Sequence, residues 1–147
     1  MSREIRRTLR LAPRFDEIDM LGVVHNSVYL KWFEQGRLAI MEEIQPLETA
    51  LEAQVTSPVV LNHCEYKRPV RYRDELVLVT RMRWTGRYTG RIEFLHSLSD
   101  ARTREVVAEG ETAVTLYDWE GKKLIRDIPA DIVARIDALA RGNGGDG

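Results

Sequence analysis

Residues 15–37 read FDEIDMLGVVHNSVYLKWFEQGR, and the architecture of the chain hangs on them. The segment begins as an acidic loop with Asp16, Glu17 and Asp19, closed by Gly22. Asn26 and Ser27 follow, residue types that open helices because a side-chain oxygen can take a free N–H of the first turn. From Val28, the residues Tyr29, Trp32, Phe33, Gly36, Ala39, Ile40 and Ile44 recur at three- and four-residue spacing. That period predicts a long helix with a broad apolar face. Gly36 in its middle costs about 1 kcal/mol against alanine, so its expected use is close approach to another backbone. A helix this apolar must be covered, and a sheet curling round it is the simplest cover.

The flanking sequence supplies that sheet. Residues 3–13 alternate weakly, with Ile5, Leu9 and Leu11 on one side, and read as a strand ended by Pro13. Four strand-like runs follow the helix, at about 58–68, 75–85, 91–99 and 105–117. In the second, Leu76, Leu78, Thr80, Met82 and Trp84 alternate with Val77, Val79, Arg81 and Arg83. In the third, Ile92, Phe94, His96 and Leu98 share a face. Turn signals separate them at 69–74, 85–90 and 99–103. Pro46 to Ser57 reads as a polar or helical link. Pro129–Arg141 places Ile132, Val133, Ile136 and Leu139 on one helical stripe. The expected organisation is one α+β domain over residues 1–141, with residues 142–147 as a flexible tail.

Composition narrows the function classes. Hydrophobic content of 44% and charged content of 31% are those of an ordinary globular domain. One cysteine, Cys64, rules out an internal disulfide and fits a reducing, cytoplasmic setting. No apolar run reaches the length of a membrane span, so no membrane partner is expected. From Lys67 to Arg91 eight basic residues stand against Asp74 and Glu75. Most of these belong on solvated strand faces, and some could form a patch for a polyanionic ligand. With near-neutral overall charge and no nucleic-acid motif, nucleic acid is not the expected partner. His63, His96 and Cys64 make no metal-ligand spacing, and no metal or other cofactor is expected.

Beside the first turn of the helix, Asp19 meets the free N–H groups and the positive end of the helix dipole, which can hold a developing anion. A carboxylate and a positive cradle within one short segment are what hydrolysis of an acyl compound needs. The sequence also resembles a known family on these residues. Phe15, Glu17, Asp19, Gly22, Val23-Val24, Asn26, Tyr29 and Arg37 occupy the places of its loop-and-helix pattern. The likeness continues through Tyr66-Lys67-Arg68-Pro69, Asp74-Glu75-Leu76, and the strands to Val114 and Asp118. The family is the hotdog-fold acyl-CoA thioesterases, in the branch with 4-hydroxybenzoyl-CoA thioesterase and the Tol–Pal-associated enzymes. Glu17 stands where members more often carry Asp, and His25 where some carry a large aromatic residue.

The resemblance implies a five-stranded antiparallel sheet wrapped round a long central helix, with a short C-terminal helix. It implies a homodimer or homotetramer with sites at the subunit interface and acyl-CoA as substrate. Asp19 is then the catalytic choice, as nucleophile or as general base for water; its structural alternative is an Asp that caps a turn. Asn26 would offer its backbone N–H to the thioester carbonyl, with its side chain acting as a cap. His25 could line the acyl pocket or position water, or be a loop histidine without chemistry. Gly22 would let the pantetheine arm approach, with a plain turn glycine as the alternative. Tyr29 reads as core or pocket wall. Arg87, Thr89 and Arg91 fall where the resembling enzymes bind CoA phosphates, with Arg68, Arg71 and Arg73 as weaker candidates. Two rivals remain open, a non-catalytic acyl-CoA-binding protein and an enoyl-CoA hydratase using an Asp–His pair.

Overall fold

The computed structural model describes residues 3–84 and 90–142. β1 (Arg3–Leu11) is followed by a single 3-10 turn at Phe15–Glu17 and by the long helix α1 (Asn26–Ile44). A short helix α2 (Leu47–Glu52) and a two-residue strand β2 (Val55–Thr56) lead into β3 (Val59–Tyr66). Then come β4 (Leu76–Trp84), β5 (Arg91–Asp100) and β6 (Val106–Asp118), the short β7 (Lys123–Ile125) and the helix α3 (Ala130–Arg141).

The long strands form one antiparallel sheet in the order β1-β4-β5-β6-β3, the five-stranded sheet expected. β2 and β7, not expected from the sequence, pair with the last residues of β6. Strands of two and three residues carry no readable period. They form because β6 outruns its neighbours and leaves Leu116–Asp118 with unpaired backbone groups.

The helix forms where its period predicts, and Val28, Tyr29, Trp32, Phe33, Gly36, Ile40 and Ile44 are buried. It stops at Gln45, which is extended because Pro46 follows. Its first half packs with Val70, Leu76, Leu78, Leu98 and Val107. Its second half, through Ile40 and Ile44, packs with Ile5, Met82, Trp84, Ile92 and Phe94, and α3 closes that end through Ile132 and Ile136. Each such side chain contributes roughly 1.5–3 kcal/mol by leaving water. The core therefore has two ends, and the opening of α1 belongs to only one of them.

Gly36 is used differently from the expectation. A Cβ there would collide with the Thr80 hydroxyl and reach 3.0 Å from Leu78 Cδ2, so the close approach is to side chains of β4, not to a backbone. Gly110 of β6 likewise leaves room for the Phe33 ring. No helix among the described residues is long and apolar enough to cross a membrane.

Candidate active site

The loop before α1 is built as a compact turn. The Asp19 N–H donates to Val23 O at 2.9 Å, and the Gly22 N–H donates to Asp19 O at 3.0 Å. Gly22 has φ +79°, a conformation that disfavours any side chain, while the space around it is open. Glycine alone takes this conformation without strain, and the open side of Gly22 leaves room for a neighbouring group. Val23 and Val24 are then tied to the segment before β4. Val23 bridges Arg71, and the Val24 N–H donates to Val70 O at 2.8 Å.

Asp19 is half-buried, and its two carboxylate oxygens differ. Oδ1 accepts the Leu21 N–H at 2.8 Å, the local bond that an Asp in a turn commonly makes. Oδ2 has no partner among the described residues. The side chain is thus oriented by one oxygen and available through the other. It lines a cleft of about 610 Å³ together with His25, Ser27, Lys31, Trp32 and Gln35, the first turns of α1.

The start of α1 departs from expectation. The cap residue is His25, with extended φ −61° and ψ 140°, and its ring nitrogen Nδ1 accepts the Ser27 N–H at 3.2 Å. Asn26 and Ser27 are already helical, so Asn26 is not the side-chain cap. The reason is tertiary: the His25 N–H is held by Glu17 O at 2.9 Å, which keeps His25 outside the helix. The Asn26 N–H has no acceptor among the described residues.

Asn26 lines a second groove, of about 290 Å³, with Val23, Tyr29, Tyr66, Arg68 and Pro69. Tyr29 is buried there between the rings of Trp32 and Tyr66, and burial raises its hydroxyl above the usual tyrosine value. Arg68 donates at 3.0 Å to Asp100, to Glu105 and to the Pro69 carbonyl, which commits it to holding the loop before β4. The Asp100 carboxyl lies below its usual range, held down by the Thr103 and Arg102 N–H groups and by Arg68. Arg73 lies over the Tyr72 ring at 5.7 Å. Arg71 donates its N–H to Asp74 at 2.9 Å.

Arg87 and Thr89 lie outside the described residues. Arg91 begins β5 beside Glu93, at 3.6 Å. It stands by the Trp84 end of β4, whereas Asp19 stands by the Leu76 end, about 25 Å of strand away. One chain therefore brings Asp19 and His25 together in one cleft, places Asn26 on the neighbouring groove, and leaves Arg91 remote. Among the described residues no three His, Cys, Asp or Glu side chains cluster as metal ligands.

His96, expected only as a strand residue, is 3% exposed beneath α1. Its Nδ1 lies 3.0 Å from the Thr80 hydroxyl and its Nε2 3.0 Å from the Thr112 hydroxyl, which donates to Asn62 Oδ1 at 3.2 Å. The ring stacks on Phe33 at 4.5 Å. The one available signal is a histidine on an otherwise apolar strand face.

Residues 13–136 match the model of a family described as the thioesterase-like superfamily. A Bacillus subtilis (strain 168) protein named "Putative acyl-CoA thioesterase YneP" is 36% identical over 78 residues, 52% of this chain and 54% of its own length. The match thus spans about half the length of that relative. Slr0204 of Synechocystis, a 1,4-dihydroxy-2-naphthoyl-CoA thioesterase, superposes with a TM-score of 0.79 at 17% identity, covering 91% of this chain and 97% of its own. A thioesterase from Thermus thermophilus, solved with coenzyme A and Zn, superposes with a TM-score of 0.72 at 26% identity, covering 91% and 93%. The curled sheet round α1 is the hotdog fold, and the chain belongs to the thioesterase-like superfamily.

Proposed function

We propose that this chain hydrolyses an acyl-CoA thioester to the free carboxylic acid and CoA. The observation that carries this reading is Asp19, which lines the cleft beside the start of α1 with one oxygen fixed by the Leu21 N–H and the other without a partner among the described residues. Water supplies the oxygen and proton that complete the products. The carboxylate either adds to the carbonyl carbon, giving an anhydride that water then opens, or takes a proton from the attacking water. The Asn26 N–H, at the positive end of the helix, polarises the carbonyl oxygen as it gains charge. A thiolate of parent pKa about 8.5 leaves with little help, so no separate acid is required. His25 lines the same cleft and serves as a wall and a hydrogen-bonding group for the acyl end.

Gly22, Tyr29, Arg87, Thr89 and Arg91 remain our candidates for contacting the CoA part of the substrate. The separation of Arg91 from Asp19 within one chain supports a site completed by a second copy, in a homodimer or homotetramer.

The test is thiol release from acyl-CoAs running from acetyl to palmitoyl, with aromatic acyl groups included. Asp19→Asn keeps an oxygen for the Leu21 N–H, so its circular dichroism and melting should match wild type. Its turnover should fall by about a hundredfold or more. Wild-type rates in that variant would refute the assignment of Asp19, and CoA binding without thiol release would favour a non-catalytic protein.

A further inference from the structure

The first peptide unit of α1, joining Asn26 to Ser27, is gripped at both ends. Its carbonyl accepts the Tyr66 hydroxyl at 2.8 Å, and its N–H donates to His25 Nδ1 at 3.2 Å. The Ser27 hydroxyl lies 2.8 Å from the same nitrogen. In the neutral ring, Nδ1 is then the acceptor and Nε2 carries the hydrogen. The three groups form one directed chain, from Tyr66 O–H through the peptide to the His25 ring.

Tyr66 is well placed to hold that chain. It ends β3 opposite Ala108 of β6, so the sheet delivers it, not the loop that carries Asp19. Its ring stands edge-on to Tyr29 at 4.9 Å, so one side of it is packed against the helix. The side chain is half exposed, yet partial desolvation and the nearby Cys64 thiol push the hydroxyl up to about 12, so it remains a donor across the working range of pH. Tyr66 and Asn26 also line the same groove.

We propose that Tyr66 is a positioning residue of the active site, holding the Asn26–Ser27 peptide so that the helix opening and the His25 ring meet the cleft in one orientation. This rests on the hydrolase reading above. A donor aimed in advance at the developing oxyanion needs no rearrangement during reaction, and a small misplacement of it is costly. Hydrogen bonds in series also polarise one another, so the bond at the Asn26 carbonyl strengthens the donation from the Ser27 N–H.

Tyr66→Phe deletes the hydroxyl and keeps the ring. We expect kcat for thiol release to fall about tenfold, with KM within about twofold of wild type and melting within a few degrees. In ¹⁵N-labelled protein the Ser27 amide resonance should move, because the carbonyl of its own peptide loses a donor. Unchanged kcat overturns the proposal, and so does an unmoved Ser27 resonance. A failure of the hydrolase reading looks different: wild type releases no thiol from any acyl-CoA, while the Ser27 resonance still moves and supports the clamp.

Discussion

His96 should make this protein acid-sensitive in a window set by one buried imidazole. Its ring is held by Thr80 on β4 and Thr112 on β6, Asn62 on β3 lies behind Thr112, and Phe33 on α1 stacks on its face. Since the Thr112 hydroxyl donates to Asn62, its oxygen receives the Nε2 hydrogen, and Nδ1 accepts from Thr80. A second proton would be charged, cut off from water and close to Arg37. Burial first, and the Arg37 charge second, lower the pKa of His96 to about 4.

An unfolded histidine titrates near 6.5, so between about pH 4 and 6.5 the unfolded chain binds the extra proton. The stabilisation from keeping His96 neutral is complete above that window and is lost as pH falls through it. The limit is about 3 kcal/mol, of which about 2 kcal/mol is gone by pH 5. The lowered carboxyl of Asp100 acts below its usual value of about 3.9, outside this window. Urea unfolding near pH 7.5 and near pH 5, at one protein concentration, measures the loss. Wild type should lose about 2 kcal/mol more than His96→Gln between those two conditions. Equal losses in the two proteins would refute the reasoning, as would an NMR titration placing the His96 pKa near 6 or above.

Two further perturbations test the packing and the helix start. Gly36→Ala gains about 1 kcal/mol of helix propensity, yet its methyl meets a Thr80 hydroxyl already engaged by His96, so we expect a net loss of about 1–2 kcal/mol in urea unfolding. A variant more stable than wild type would show that Thr80 can move freely. His25→Ala should cost about 1 kcal/mol through loss of the cap, whereas Asn26→Ala should cost well under half of that. The reverse ranking in thermal unfolding would return the cap to Asn26.

The parts of the site legible in the sequence are those built by near neighbours. The turn at Asp19–Gly22 and the bond from Asp19 to the Leu21 N–H join residues within three positions of each other. Both belong to the turn-forming habit of Asp and Gly. The cap is not legible, because three polar residues in a row offer three possible helix starts. The bonds from His25 to Glu17 and from Val24 to Val70 choose among them. Tyr66 is equally hidden, since its partner at the helix start lies 40 residues away.

The amphipathic period of α1, the alternation of the strands and the carboxylate just ahead of the helix are written in the chain itself. They rest on repeats of two and of about 3.6 residues, which each segment expresses whatever surrounds it. The register came from folding alone. Pairing Thr80 with His96 and Asn62 with Thr112 puts a polar row under an apolar helix, and the reach of β6 creates β2 and β7. A slip of one residue would turn every side chain of a strand to the other face, so the buried contacts of the whole sheet select one alignment that no short window contains.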